Sequence, residues 1–273
     1  MIHIVTIHHE TDKFLDLQDF YFEKFTNWEY KIYSGLSEID YNAYVHKNRE
    51  GQYKNYEFVD LNNVLNQHWF RMNYIFNHIK EKQKTFSDED ILIFTDGDAW
   101  TITDWVPTLL NLLEKNPVVA VDRRENPEPA LHPNFKPYPH PCFFATKARF
   151  WDENKLEWSL HPPQIETAGP VLMLWLKQNG YDYTPLLRNN VFNLHPLYFG
   201  IYGDMIYHHG AGNRIVYDSI DIWTRKGLNP GFDLDLRYPS IPKFNKKLSD
   251  LVYNEIIEDE NFINVFLMGR EVK

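Results

Sequence analysis

The chain has 273 residues, 28 of them basic and 38 acidic, for a net charge of −10, and aromatic residues make up 16% of it. That length allows one large α/β domain or two small ones, each with a sizeable core. The acidic balance argues against broad binding to nucleic acid or anionic membranes, because the basic pairs Arg123-Arg124 and Lys246-Lys247 are too short to form a patch. Cys142 is the only cysteine, so no intrachain disulfide forms, which fits a reducing compartment. No apolar window reaches the ~18 residues a membrane-crossing helix needs. The opening residues M-I-H-I-V-T-I-H-H-E read as a strand rather than a signal peptide, since histidines interrupt and end the apolar run. A cytoplasmic protein is the expectation.

In chain order, residues 2–7 form a first strand, followed by an amphipathic helix whose apolar side is Phe14, Leu15, Leu17, Phe20, Tyr21 and Phe25. Residues 30–33 form a second strand closed by Ser34-Gly35, and the polar stretch 36–56 reads as loop. Residues 57–61 form a third strand. Val64, Leu65, Trp69, Met72, Ile75, Phe76 and Ile79 then mark a long helix over about 63–83. The run I-L-I-F-T at 91–95 is continuously apolar up to Thr95, as a strand buried on both faces of a parallel sheet must be.

The order so far is β-α-β-β-α-β, which predicts a doubly wound half. Helix 105–113 carries Pro107 in its first turn, strand 118–121 follows, and six prolines within 126–141 predict a rigid loop. A strand at 142–145, a helix at 170–178 starting near Thr167, short strands or edge pieces at 189–194 and 203–209, and a helical tail over 248–266 complete the reading. Residues 1–215 are expected to form the main domain and 216–273 an extension packed on it.

The strand at 91–95 runs directly into Asp96-Gly97-Asp98. Ligands of open parallel sheets bind beyond the carboxyl ends of the strands. Two aspartates at such a point repel unless a cation joins them, and Gly97 lets backbone approach a ligand closely. Carboxylate oxygens suit hard ions such as Mg2+ or Mn2+. The bland alternative is an Asp-Gly turn. A further donor is expected from Ile206-Tyr207-His208-His209-Gly210-Ala211-Gly212-Asn213-Arg214, where a histidine ends a strand. There Gly212 allows close approach to phosphate and Arg214 can pair with it bidentately.

An apolar strand ending in D-x-D, with a late H-x-x-G at His209–Gly212, resembles the metal-dependent glycosyltransferases of GT-A fold. The resemblance covers residues 2 to about 215. It implies a Rossmann-like, mostly parallel central sheet flanked by helices. It also implies that Asp96 and Asp98 hold Mn2+ or Mg2+ on the diphosphate of a nucleoside-diphosphate sugar, with His209 or its neighbour His208 completing the metal shell. By the same resemblance Thr6, Ile7 and His8 cradle the nucleotide base, Arg71 contacts the diphosphate, and Glu166 is the base that deprotonates the hydroxyl of a glycan or other acceptor. For Glu166 the competing reading is a carboxylate at a helix start. Trp100, Trp105, Trp151, Trp158 and Tyr138 are candidates to stack on sugar faces, one or two of them at most.

Three other functions compete. A phosphatase of the haloacid-dehalogenase type also uses a strand ending in D-x-D, but wants Thr or Val where Trp100 stands and places the motif near the start of the domain. A nucleotidyltransferase wants a glycine-rich basic loop after the first strand, and His8-His9-Glu10-Thr11-Asp12 has neither glycine nor lysine. A non-catalytic carbohydrate-binding protein would keep the fold, though an intact D-x-D with a late histidine speaks against it.

Overall fold

The computed structural model describes residues 1–124, 138–159, 169–195, 198–210 and 246–270. Strands β1 (Ile2–His9), β2 (Tyr30–Ser37), β3 (Tyr56–Asp60), β4 (Ile91–Asp96), β6 (Val118–Val121), β7 (His140–Lys147) and β8 (Tyr183–Leu186) form one seven-stranded sheet in the order β3-β2-β1-β4-β7-β6-β8. Every pairing is parallel except the two made by β7. A small antiparallel sheet, in the order β5-β10-β9, is built from β5 (Ala99–Thr101), β9 (Gly200–Tyr202) and β10 (Ile206–His208).

Helices cover both faces of the large sheet. α1 (Leu15–Phe25), α2 (Tyr41–Arg49) and α4 (Val106–Leu113) share one core with Ile91 and Ile93. α3 (His68–Gln83), α5 (Ala148–Glu153) and α6 (Gly169–Gln178) share the other with Leu92 and Phe94. Successive side chains of a strand point to opposite faces, so β4 needs an apolar residue at every position. The mostly parallel, helix-flanked sheet is the architecture expected. α7 (Lys246–Glu258) and a π-helical turn (Ile263–Leu267) pack into the α1-side core through Val252, Ile256, Ile263 and Leu267. No helix among the described residues is long and apolar enough to cross a membrane.

Several elements depart from the sequence expectation. The stretch 36–56 is not all loop: α2 is capped by Asp40, whose side chain accepts from the Ala43 amide at 3.2 Å. Only Tyr44 of this helix is buried, so no apolar stripe marks it in sequence. β2 runs on through Ser34-Gly35 to Ser37 because β1 and β3 pair with it there on both sides. A Cβ at Gly35 would lie 2.4 Å from Leu61 Cδ1, so the glycine admits packing rather than a turn. β7 spans 140–147, taking the end of the proline-rich stretch into the sheet. Residues 189–194 form no strand, and only Arg188 bridges to Tyr202.

Burial of His3 contributes to acid sensitivity of the fold. His3 is fully buried against Tyr33 and Phe86, and among the described residues neither ring nitrogen has a hydrogen-bond partner. Burial lowers its pKa from 6.5 to about 4. Between those values the unfolded chain takes up a proton that the folded chain refuses, so stability falls as pH drops from 6.5 toward 4. His3→Leu removes both the unpaired ring nitrogens and this loss. Its stability gain over wild type, from urea unfolding, is expected to grow by about 2 kcal/mol between pH 7.5 and pH 5. An equal difference at both pH values would refute the assignment.

Candidate metal centre

β4 delivers Asp96 as its last residue, and one turn later Asp98 leads directly into β5. β5 pairs antiparallel with β10, with Ala99 opposite His208, and the His209 amide donates to the Asp98 carbonyl at 2.9 Å. This ladder carries His208 to the two carboxylates. Its Nε2 lies 3.4 Å from Asp96 Oδ2 and 3.3 Å from Asp98 Oδ1. Ligand-type atoms of Asp96, Asp98 and His208 all fall within 4.8 Å of one another.

The strand period of two separates the adjacent histidines. His208 faces the carboxylates. His209 faces the opposite side, with Nδ1 3.1 Å from the Tyr207 hydroxyl and Nε2 2.9 Å from Ser249 Oγ, so both its nitrogens are engaged away from the aspartates. Of the two candidates, the structure brings His208 and not His209 to the D-x-D.

The electrostatics suit a cation. Burial alone would raise the Asp96 carboxyl, but the His208, His68 and His140 imidazoles outweigh it and hold the acid well below the usual range. Burial likewise raises Asp98, and His208 again reverses the effect. Burial lowers His208, yet Cys142 and both aspartates lift it well above its ordinary value. A protonated His208 thus balances two ionised acids, a role a divalent ion can take over with neutral imidazole as its nitrogen donor. Two carboxylates and one imidazole are a donor set that fits such an ion.

Behind the turn lies a residue that sequence reading missed. Gln18 is fully buried in α1 and donates from Nε2 to the carbonyls of Ala99 (2.8 Å) and Asp96 (3.2 Å). Its Oε1 lies 3.3 Å from His8 Nε2. The signal was available: Gln18 is a polar residue on the apolar stripe of Phe14, Leu15, Tyr21 and Phe22. Gly97 is needed by β1, since a Cβ there would meet the Ile7 carbonyl at 2.5 Å and His8 Nδ1 at 2.9 Å.

Thr6, Ile7 and His8 are buried, and Thr6 Oγ1 accepts from Gln18 at 3.4 Å. Burial lowers His8 to about 4, so it is a neutral prop for the turn near neutral pH. Arg71 is buried and donates from Nη2 to the Val64 carbonyl at 3.4 Å. Glu166, Gly212 and Arg214 lie outside the described residues. The stacking expectation is corrected for Trp100, Trp105, Trp151 and Trp158: all four are 0% exposed and belong to the core, and Tyr138 is buried too. A second cluster, His9, Glu10 and Glu38, lies at the ends of β1 and β2, with both glutamates exposed.

No protein-family model matches the sequence, and no curated protein matches it. Solved structures do resemble the fold. A mannosyltransferase, PcManGT, from Pyrobaculum calidifontis in complex with GDP-Man and Mn2+ is 13% identical over 67% of this chain and 54% of its own, with a TM-score of 0.48. TarS from S. aureus, in complex with UDP-GlcNAc, is 10% identical over 58% and 48%, with a TM-score of 0.39. The glycosyltransferase GlyE from Streptococcus pneumoniae is 13% identical over 67% and 44%, with a TM-score of 0.41. PcManGT and GlyE are glycosyltransferases by name, and the likeness of this chain to them is one of fold alone. The matched part spans about half the length of each of those chains.

Proposed function

We propose that the protein is a glycosyltransferase that moves a hexose from a nucleoside-diphosphate sugar to an acceptor hydroxyl, with Mn2+ or Mg2+ held by Asp96, Asp98 and His208. The observation that carries this is the convergence of those three side chains at the carboxyl end of the central sheet. When bound, the ion supplies Lewis-acid stabilisation to the leaving diphosphate. The chain's own part is to keep both carboxylates ionised and to fix the D-G-D backbone through Gln18. Glu166 is proposed as the base that deprotonates the acceptor, and Gly212 with Arg214 as contacts to the diphosphate. Thr6, Ile7, His8 and Arg71, all buried, are proposed to shape the nucleotide end through the side chains and backbone they support. The single cysteine supports placing the protein in the cytoplasm.

Titration calorimetry with a panel of nucleoside diphosphates, with and without Mn2+, tests the proposal. At least one diphosphate is expected to bind in the presence of metal and to lose most of its affinity under a chelator. Failure of every nucleotide to bind, or binding indifferent to metal, would overturn it.

A further inference from the structure

Asp96 has two carboxylate oxygens, and each faces a different imidazole. Oδ2 lies 3.4 Å from Nε2 of His208, whereas Oδ1 lies 3.5 Å from Nε2 of His68. His68 is the first residue of α3, its side chain is 45% exposed, and Asp96 is the acid within ion-pair distance of it among the described residues. It is not one of the three side chains whose ligand atoms converge. The helix that carries it is anchored by Met72, Ile75, Phe76 and Ile79 in the core, so its first turn is a fixed platform.

A carboxylate that ligates through one oxygen is free to rotate unless something holds the other. Groups that hydrogen-bond a ligand from outside supply that restraint, and losing one typically weakens metal binding roughly 10–100-fold. Resting on the metal centre proposed above, we infer that His68 is a positioning residue for Asp96. Its Nε2–H holds Oδ1 and leaves Oδ2 turned toward the cation. A side chain on α3, far from the D-x-D in sequence, thereby sets how the centre grips its ion.

The test is Mn2+ binding to the full chain without nucleotide, by calorimetry and by loss of the free-ion electron paramagnetic resonance signal. His68→Ala is expected to weaken Mn2+ roughly 10–100-fold while leaving the urea midpoint unchanged, because the side chain is half exposed. His68→Gln, which keeps an N–H donor at similar reach, should restore most of the affinity. Wild-type affinity in His68→Ala would overturn the inference. So would a glutamine variant as weak as alanine, since that would make the imidazole a direct ligand. If wild type binds Mn2+, Asp98→Ala does not, and His68→Ala binds as wild type, only the role of His68 falls. If wild type itself does not bind Mn2+, the metal centre falls and this inference with it.

Discussion

Asp98→Ala is expected to abolish metal-dependent nucleotide binding and to lower sugar transfer roughly a thousandfold, the scale of several kcal/mol of transition-state stabilisation. Charge and donor count set the size of the effect. With Asp98 gone, the cluster keeps one carboxylate and one imidazole, and Asp96 becomes the only acid of the group facing His208. That pair can neutralise itself and leaves little net attraction for a divalent ion. The variant should still fold, because the link from Asp98 to β10 runs through its backbone carbonyl, which alanine retains. Calorimetry with Mn2+ and the best-binding diphosphate, alongside a urea melt, separates the two effects. A folded variant with wild-type metal affinity would remove Asp98 from the centre.

Gln18→Met should be the most damaging change away from the ligands. Methionine conserves the volume, so what is lost is hydrogen bonding rather than packing. The carbonyls of Asp96 and Ala99 both lose a donor, and His8 loses its side-chain partner. Each buried polar group left unpaired costs about 1–3 kcal/mol, so a loss of ~3 kcal/mol in unfolding free energy is expected. Because the same bonds fix the D-G-D backbone, Mn2+ affinity should also fall, by roughly tenfold on the scale of other groups that orient ligands from outside. An unfolding free energy within ~0.5 kcal/mol of wild type, the range of an ordinary surface change, would show that the turn holds itself without Gln18.

Much of the architecture was legible in the chain. The run Ile91–Phe94 gave a strand buried on both faces, and its two cores are what the structure has. The helical spacing of Met72, Ile75, Phe76 and Ile79 gave α3, although the helix starts at His68 rather than near residue 63. The helix α2 was not legible, because its stability comes from the Asp40 cap and the packing of Tyr44 against Tyr53 and Phe58. Of the aromatic candidates to stack on sugar, one or two at most, all four tryptophans proved to be core, since proximity to a strand end in sequence says nothing about which way a ring turns.

Residue order alone put two carboxylates at the end of a buried strand and a pair of histidines far downstream. Which histidine meets the acids is set by the fold. Alternation along a strand guarantees that His208 and His209 face opposite ways, but the register of β10 on β5 sets the phase, and that pairing joins residues distant in the chain. Gln18 and His68 reach the D-x-D for the same reason. Helices α1 and α3 are placed by their apolar faces, and the polar residues they carry along are aimed by packing that no local pattern records.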